Sequence, residues 1–214
     1  MKQNYLPKKE GRKTISQSRF IEFFTKTHPL VAISMFILIG LFLNLFAYSN
    51  QLLTGKEILL LYPFGIFSFT LTEYLVHRFV FHMRITNKIK EKIQYNIHGI
   101  HHEFPNDRGR LVMPPVFSLP LSTILFLIAY FFAGKWAFTI MGGFFTGYGL
   151  YLFVHYIVHI WKMPKNRFKT LWIYHNIHHF QNEEVAFGVS SHLWDRIFGT
   201  KPDFQAGKTN KNKH

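Results

Sequence analysis

Four long apolar runs alternate with polar, basic segments along this chain. The first, residues 29–48 (PLVAISMFILIGLFLNLFAY), carries no formal charge, and Asn44 is its main polar interruption. As a helix it is long enough to cross the roughly 30 Å of a bilayer core. The second, residues 58–81 (ILLLYPFGIFSFTLTEYLVHRFVF), has Pro63 and Gly65 as candidate kink positions. Its second half holds Glu73, His77 and Arg78. Ionisable groups are costly in hydrocarbon, so this end belongs in the interface and marks function. Residues 116–133 and 136–160 flank the tight turn Gly134-Lys135 and predict a transmembrane hairpin. Gly142, Gly143, Gly147 and Gly149 in its second arm permit close helix approach.

The segments between these runs are polar. Residues 1–27 are basic and lack a short apolar stretch with a small-residue cleavage site, so a membrane-surface segment is expected rather than a removable signal peptide. Residues 82–115 predict a helix from about Asn87 to His102, then an irregular loop, EFPNDRGRLVMPP. The expected membrane domain is 28–204, with a polar tail at 205–214. Four spans put both termini on one side. All 25 Lys and Arg except Lys56 and Lys135 fall on that side or at the span ends facing it. By the positive-inside rule that side is cytoplasmic, in a bacterial inner membrane or the endoplasmic reticulum. The formal net charge of +14 therefore reports sidedness rather than nucleic-acid binding. The expected fold is an all-α integral membrane protein: four transmembrane helices under a cytosolic helical cap.

Histidine placement adds the chemistry. Ten of the thirteen histidines fall into four tight groups: His77 with His82, His98 with His101 and His102, His155 with His159, and His175 with His178 and His179. On a helix, residues three and four apart share a face, so three of the groups can each point one way. His77 and His82 are five apart, which suits a helix that is ending and can adjust. All four groups converge on the cytosolic face. His28, before Pro29, and His214 read as ordinary polar histidines, and His192 is left outside the set.

With no cysteine, thiolate ligation and disulfides are excluded, so histidine or carboxylate must supply metal ligands. Ten imidazoles exceed the needs of one metal; two ions with four or five ligands each fit the count. Two redox-active irons at a membrane surface suit oxygen activation and attack on an unactivated lipid C–H bond. Zinc competes well at such sites and could be isolated in place of iron. Glu73, one turn before His77, is a candidate to accept the second N–H of a ligand histidine, or else to pair with Arg78. Glu103, Asp107 and Asp195 are weaker candidates for the same bracing. A metal transporter would place ligands along a path across the bilayer, and a bis-histidine haem protein leaves the two HxxHH groups unexplained.

The stretches EYLVHRFVFH (73–82), HGIHHEFPNDRGRLVMPP (98–115), GYGLYLFVHYIVH (147–159) and HNIHHFQNEEVAFGVSSHLWDRIFGT (175–200) resemble the fatty acid hydroxylase superfamily, also called the sterol desaturase family. Within it, RLVMPP and FGVSSHLWDRIFGT look most like fatty acid 2-hydroxylases. The resemblance covers about residues 60–200. It implies a membrane monooxygenase with a dinuclear metal centre that hydroxylates C2 of a long acyl chain, typically of a sphingolipid or ceramide precursor. It implies dioxygen as oxidant and NAD(P)H electrons delivered through a carrier. Carried over by position, the ligands are all ten grouped histidines. A sterol or carotenoid hydroxylase or desaturase of the same superfamily is the alternative. Three departures stand out. No HPGG haem-binding stretch or room for a fused cytochrome b5 domain is seen, so a separate cytochrome b5-like protein or ferredoxin is the expected donor. Leu152 stands where the family usually has an acid, and Tyr174 where it has a histidine.

Overall fold

The computed structural model describes residues 7, 8, 11 and 17–203. The polar tail and His214 lie outside the described residues, as does most of residues 1–16. Every regular element among the described residues is helical. A short helix α1 (Arg19–Phe24) precedes the first long helix, α2 (Pro29–Ser49). Next comes α3 (Gly55–Val76), which runs on through a π-helical turn at His77–Phe81. A cap helix follows: α4 (Lys88–Gln94), a second π turn (Tyr95–Gly99) and α5 (Ile100–Glu103). The long helices α6 (Pro115–Ala133) and α7 (Trp136–Ile160) form the predicted hairpin. Two cap helices complete the described chain, α8 (Lys169–Phe180) and α9 (Leu193–Ile197).

Local chemistry sets the ends of the spans. Pro29 occupies the first turn of α2, where its missing N–H costs nothing, and the His28 side chain caps it by accepting from the Leu30 amide. Helix α3 starts at Gly55, three residues before the apolar run begins. The cause is a capping box: Thr54 accepts from the Glu57 amide, while the Glu57 carboxylate accepts from the Thr54 amide at 2.8 Å. Pro63 lies inside α3 without interrupting it. Among the described residues, four helices are long and apolar enough to span a bilayer, and they coincide with the four predicted runs.

Helix α7 is the centre of the bundle. Over half (56%) of its most apolar stretch is buried, against 6% for α6. Its glycines make this possible. A Cβ added at Gly143 would lie 2.1 Å from the Tyr62 carbonyl oxygen of α3, and one at Gly142 would lie 2.2 Å from the Asn44 amide nitrogen of α2. In lipid, where no hydrophobic drive separates helix from solvent, this backbone approach is a main source of helix association. Ala32, Phe36, Met141, Phe145 and Leu152 fill the seam between α2 and α7. The bundle so formed fixes the ends of α3 and α7 side by side.

Replacing Gly143 with isoleucine should therefore overpack the α3–α7 seam and cost about 2 kcal/mol or more. Gly55→Ala, where an added Cβ meets nothing within 4 Å, should leave stability essentially unchanged. Unfolding of the purified protein in SDS–detergent mixtures distinguishes the two.

Candidate metal centre

The histidine pair on α3 shows how local backbone serves the site. In a regular α-helix, residues five apart point in different directions. Here the His82 amide donates to the His77 carbonyl at 3.1 Å, an i→i+5 bond that widens the turn and brings both rings to one side. A second π turn lies in the cap, where the Ile100 amide donates to the Tyr95 carbonyl across a turn that contains His98, the first residue of the HxxHH. On α7 and α8 ordinary helical spacing suffices for His155/His159 and for His175/His178/His179.

All ten predicted histidines come together, in two groups of five. His77, His82, His98, His102 and His178 form one, and His101, His155, His159, His175 and His179 the other. Within each group the candidate nitrogens lie within 4.8 Å of one another. The groups interlock. Each takes the pair from one membrane-helix end and the first and last histidines of one HxxHH, plus the middle histidine of the other HxxHH. The rings of His102 and His179 stack at the boundary, with centroids 4.2 Å apart. His192 belongs to neither group; its ring packs against Tyr174 at 3.9 Å.

Facing nitrogens define the chemistry. Nε2 atoms of His77 and His98 are 3.2 Å apart, those of His98 and His102 3.0 Å, and those of His82 and His178 3.0 Å. In the second group His101 and His155 are 3.0 Å apart, and His159 and His175 2.7 Å. The Nδ1–H of His77 donates to the Phe187 carbonyl at 2.6 Å, and that of His178 to the Val185 carbonyl at 2.8 Å. Those bonds fix the tautomer and leave Nε2 as a bare lone pair aimed inward. Five ring nitrogens crowded together in each group cannot all be satisfied by hydrogen bonds to one another. A first-row metal ion with bonds of about 2.1 Å would place neighbouring nitrogens roughly 3–4 Å apart, which matches the observed spacings. The donor set thus fits a nitrogen-ligated metal ion in each group. Burial, reinforced by neighbouring rings, holds His98, His101, His102, His175, His178 and His179 well below the usual imidazole range. They are therefore neutral and metal-competent at physiological pH.

The carboxylates do something other than expected. Glu73 neither reaches a histidine nor pairs with Arg78. Its Oε1 accepts from the amides of Val189 and Ser190, at 2.7 and 2.9 Å, and its Oε2 from the Ser190 hydroxyl. Asp195 continues the pattern: Oδ1 accepts from the Phe187 amide at 2.9 Å and Oδ2 from the Gly188 amide at 2.9 Å. Four consecutive amides, 187–190, are thus held by two buried carboxylates from distant elements. Gly188 is required here, since a Cβ would lie 2.1 Å from the Ser191 carbonyl oxygen. This cradle presents the Phe187 carbonyl to His77. A further chain reinforces it: Arg78 donates to the Tyr74 hydroxyl, Tyr74 bonds Thr200, and Thr200 donates to Asp195. Glu103 accepts from the Tyr95 hydroxyl at 2.6 Å and pairs with Lys8, and Asp107 caps the Gly109 amide. Sequence reasoning missed the Phe187 and Val185 carbonyls because any residue type supplies one; the FGVSS stretch was their only trace.

Beside the histidines lies a cavity of about 450 Å³. His98, His101 and His155 form one wall; Phe81, Ile97, Leu111, Val112, Met113, Phe117, Tyr148, Tyr151 and Leu152 line much of the rest. The RLVMPP loop thus contributes cavity wall, and Leu152 makes part of that wall apolar.

A membrane-spanning helical bundle that carries two buried imidazole groups beside an apolar cavity defines a histidine-rich membrane oxidoreductase class. The chain belongs to the fatty acid hydroxylase family, whose sequence profile matches residues 62–200. It is 34% identical over 194 residues to the dihydroceramide fatty acyl 2-hydroxylase FAH2 of Arabidopsis thaliana, covering 89% of this chain and 80% of that protein. It is 35% identical over 144 residues to the ceramide very long chain fatty acid hydroxylase scs7 of Schizosaccharomyces pombe, covering 64% of this chain but only 41% of that longer protein. The solved structure of full-length scs7p, in which only the hydroxylase domain is visible, superposes with a TM-score of 0.79 at 31% identity, over 86% of this chain and 70% of that one.

Asp195→Asn should turn an amide donor toward the loop and loosen it by about 2 kcal/mol, or roughly thirtyfold faster exchange. Hydrogen-exchange mass spectrometry should show this acceleration at Phe187 and Gly188, with the α2–α7 seam unchanged.

Proposed function

We propose that this protein hydroxylates C2 of a long lipid acyl chain, of the ceramide or sphingolipid class, using dioxygen and externally supplied electrons. The observation that carries the reading is the contact between two five-imidazole groups and one apolar cavity at the membrane edge. His77, His82, His98, His102 and His178 would hold one metal ion, and His101, His155, His159, His175 and His179 the other. A pair of iron ions there would supply oxygen activation.

The protein's part is placement. Leu111, Val112, Phe117 and Leu152 offer an apolar surface to methylene groups and keep bulk water from the reacting carbon. The tautomers fixed by the Phe187 and Val185 carbonyls keep His77 and His178 as neutral donors. The named activities of the Arabidopsis and fission yeast relatives support an acyl substrate over a sterol or carotenoid. Electrons come from NAD(P)H through a separate redox protein. The strong bias of Lys and Arg to the histidine-bearing side supports a cytoplasmic site.

Comparative lipidomics of cells with and without the protein tests the reading. Acyl lipids should gain one oxygen at C2 while sterols and carotenoids stay unchanged; an altered sterol or carotenoid pool with unaltered acyl lipids would overturn it. His178→Ala should abolish the product, a loss of at least 100-fold, with the protein still in the membrane. Protein stripped of metal and reconstituted anaerobically should regain turnover with ferrous iron and not with zinc, at two ions per chain by elemental analysis.

A further inference from the structure

Helix α4 and the π turn after it carry an apolar stripe that the described residues leave exposed. Ile89 and Ile93, one turn apart on α4, and Ile97, in the π turn that continues it, are 71%, 45% and 44% exposed. Exposed lysines flank the stripe, Lys92 on one side and Lys90 on the other, with Lys88 at the helix start. The opposite face is accounted for: Gln94 is buried and its amide donates to the Phe81 carbonyl at the end of α3. Glu91 is exposed away from the stripe. An apolar stripe edged by lysines is the pattern of a helix lying in a bilayer surface, with ammonium groups at anionic headgroups. Its position agrees. Only residues 82–87 separate α4 from α3, whose last turn still exposes Phe79 and Val80. Six residues reach at most about 20 Å.

Two residues join this surface to the cavity. Ile97, the last of the stripe, also lines the cavity beside His98 and His101. Phe117, on the cavity's other side, is 56% exposed and belongs to the membrane-spanning α6. The rim therefore has one edge on the stripe and one on a lipid-facing helix.

We propose that α4 lies in the plane of the cytosolic leaflet, with Ile89, Ile93 and Ile97 among the lipid chains, and forms one lip of a lateral entrance to the cavity between Ile97 and Phe117. An anionic lipid surface is the occupant the charges select. An acyl chain can then pass from the leaflet to the histidine groups without crossing water. This use of the entrance rests on the acyl hydroxylase reading; the docking of α4 does not.

The absence of native cysteine makes the test direct. The full chain with Ile93→Cys, Ile97→Cys or Glu91→Cys is labelled with bimane and reconstituted in phosphatidylcholine vesicles with 30% phosphatidylglycerol. Labels at 93 and 97 should be quenched at least threefold more strongly by doxyl-labelled lipid than the label at 91, which should instead respond to aqueous iodide. Equal lipid quenching at all three positions, or iodide quenching at 93 and 97, overturns the proposal; the second result would leave the stripe to a protein partner. With turnover as the readout, Ile89→Asp combined with Ile93→Asp should raise the apparent KM for vesicle-borne substrate about tenfold at unchanged kcat and metal content. An unchanged KM also counts against the entrance. A wild-type protein without hydroxylase activity overturns the proposed function, while the labelling still decides the placement of α4.

Discussion

Ten imidazoles, eight of them buried and two half-buried, crowded into two groups with ring nitrogens facing one another are the constraint on which the rest of the structure depends. Such an arrangement is unfavourable in isolation: the rings are stripped of water, and bare acceptors meet bare acceptors. A cation in each group would convert this crowding into coordination. The surrounding structure is organised to make the rings neutral, fix their tautomers and bring them close. Burial supplies the first, the Phe187 and Val185 carbonyls the second for His77 and His178, and the glycine-packed bundle with its two π turns the third. Removing any one of these leaves the others costly.

The membrane edge is a physically sensible place for such a site. Deep in hydrocarbon, the polar cap and its two carboxylates would have to be solvated entirely by protein. In open water, the ring nitrogens would be hydrated and the cavity would fill. At the ends of α3 and α7, the helices still present apolar surface on one side while the cap closes the other. The cradle of Glu73 and Asp195 works within this setting. Two carboxylates that accept four consecutive amides replace water for a loop that carries no regular structure, and they do so within reach of His77.

Much of this was legible in the sequence, for identifiable reasons. The four spans follow from runs of uncharged apolar residues, which tertiary context rarely overrides in a membrane protein. The ten histidines follow from their spacing, because side-chain chemistry is written in residue type. What could not be read belongs to the backbone. The pair His77 and His82 looked misaligned on a regular helix, and only the π turn reconciles their spacing with one shared side. The carbonyls that set the tautomers carry no sequence signature. Glu73 was placed beside a histidine because one helical turn separates it from His77, yet it points to residues 189–190, more than a hundred positions along the chain. That contact depends on how the last loop folds back, which local periodicity does not encode.

The interlock between the two groups has a consequence for assembly. His101 sits in the cap helix that also carries His98 and His102, yet it joins the group completed by α7 and α8. His178 sits in α8, yet it joins the group built on α3 and the first cap helix. Neither group can reach five nitrogens until both cap helices have docked on the bundle. Binding of an ion to either group would therefore stabilise the same docked arrangement that the other group requires, coupling the two groups through folding. A single histidine replacement in the middle of either HxxHH should then be felt at both sites. A pair of independent sites, each built from its own helices, would confine the damage to one.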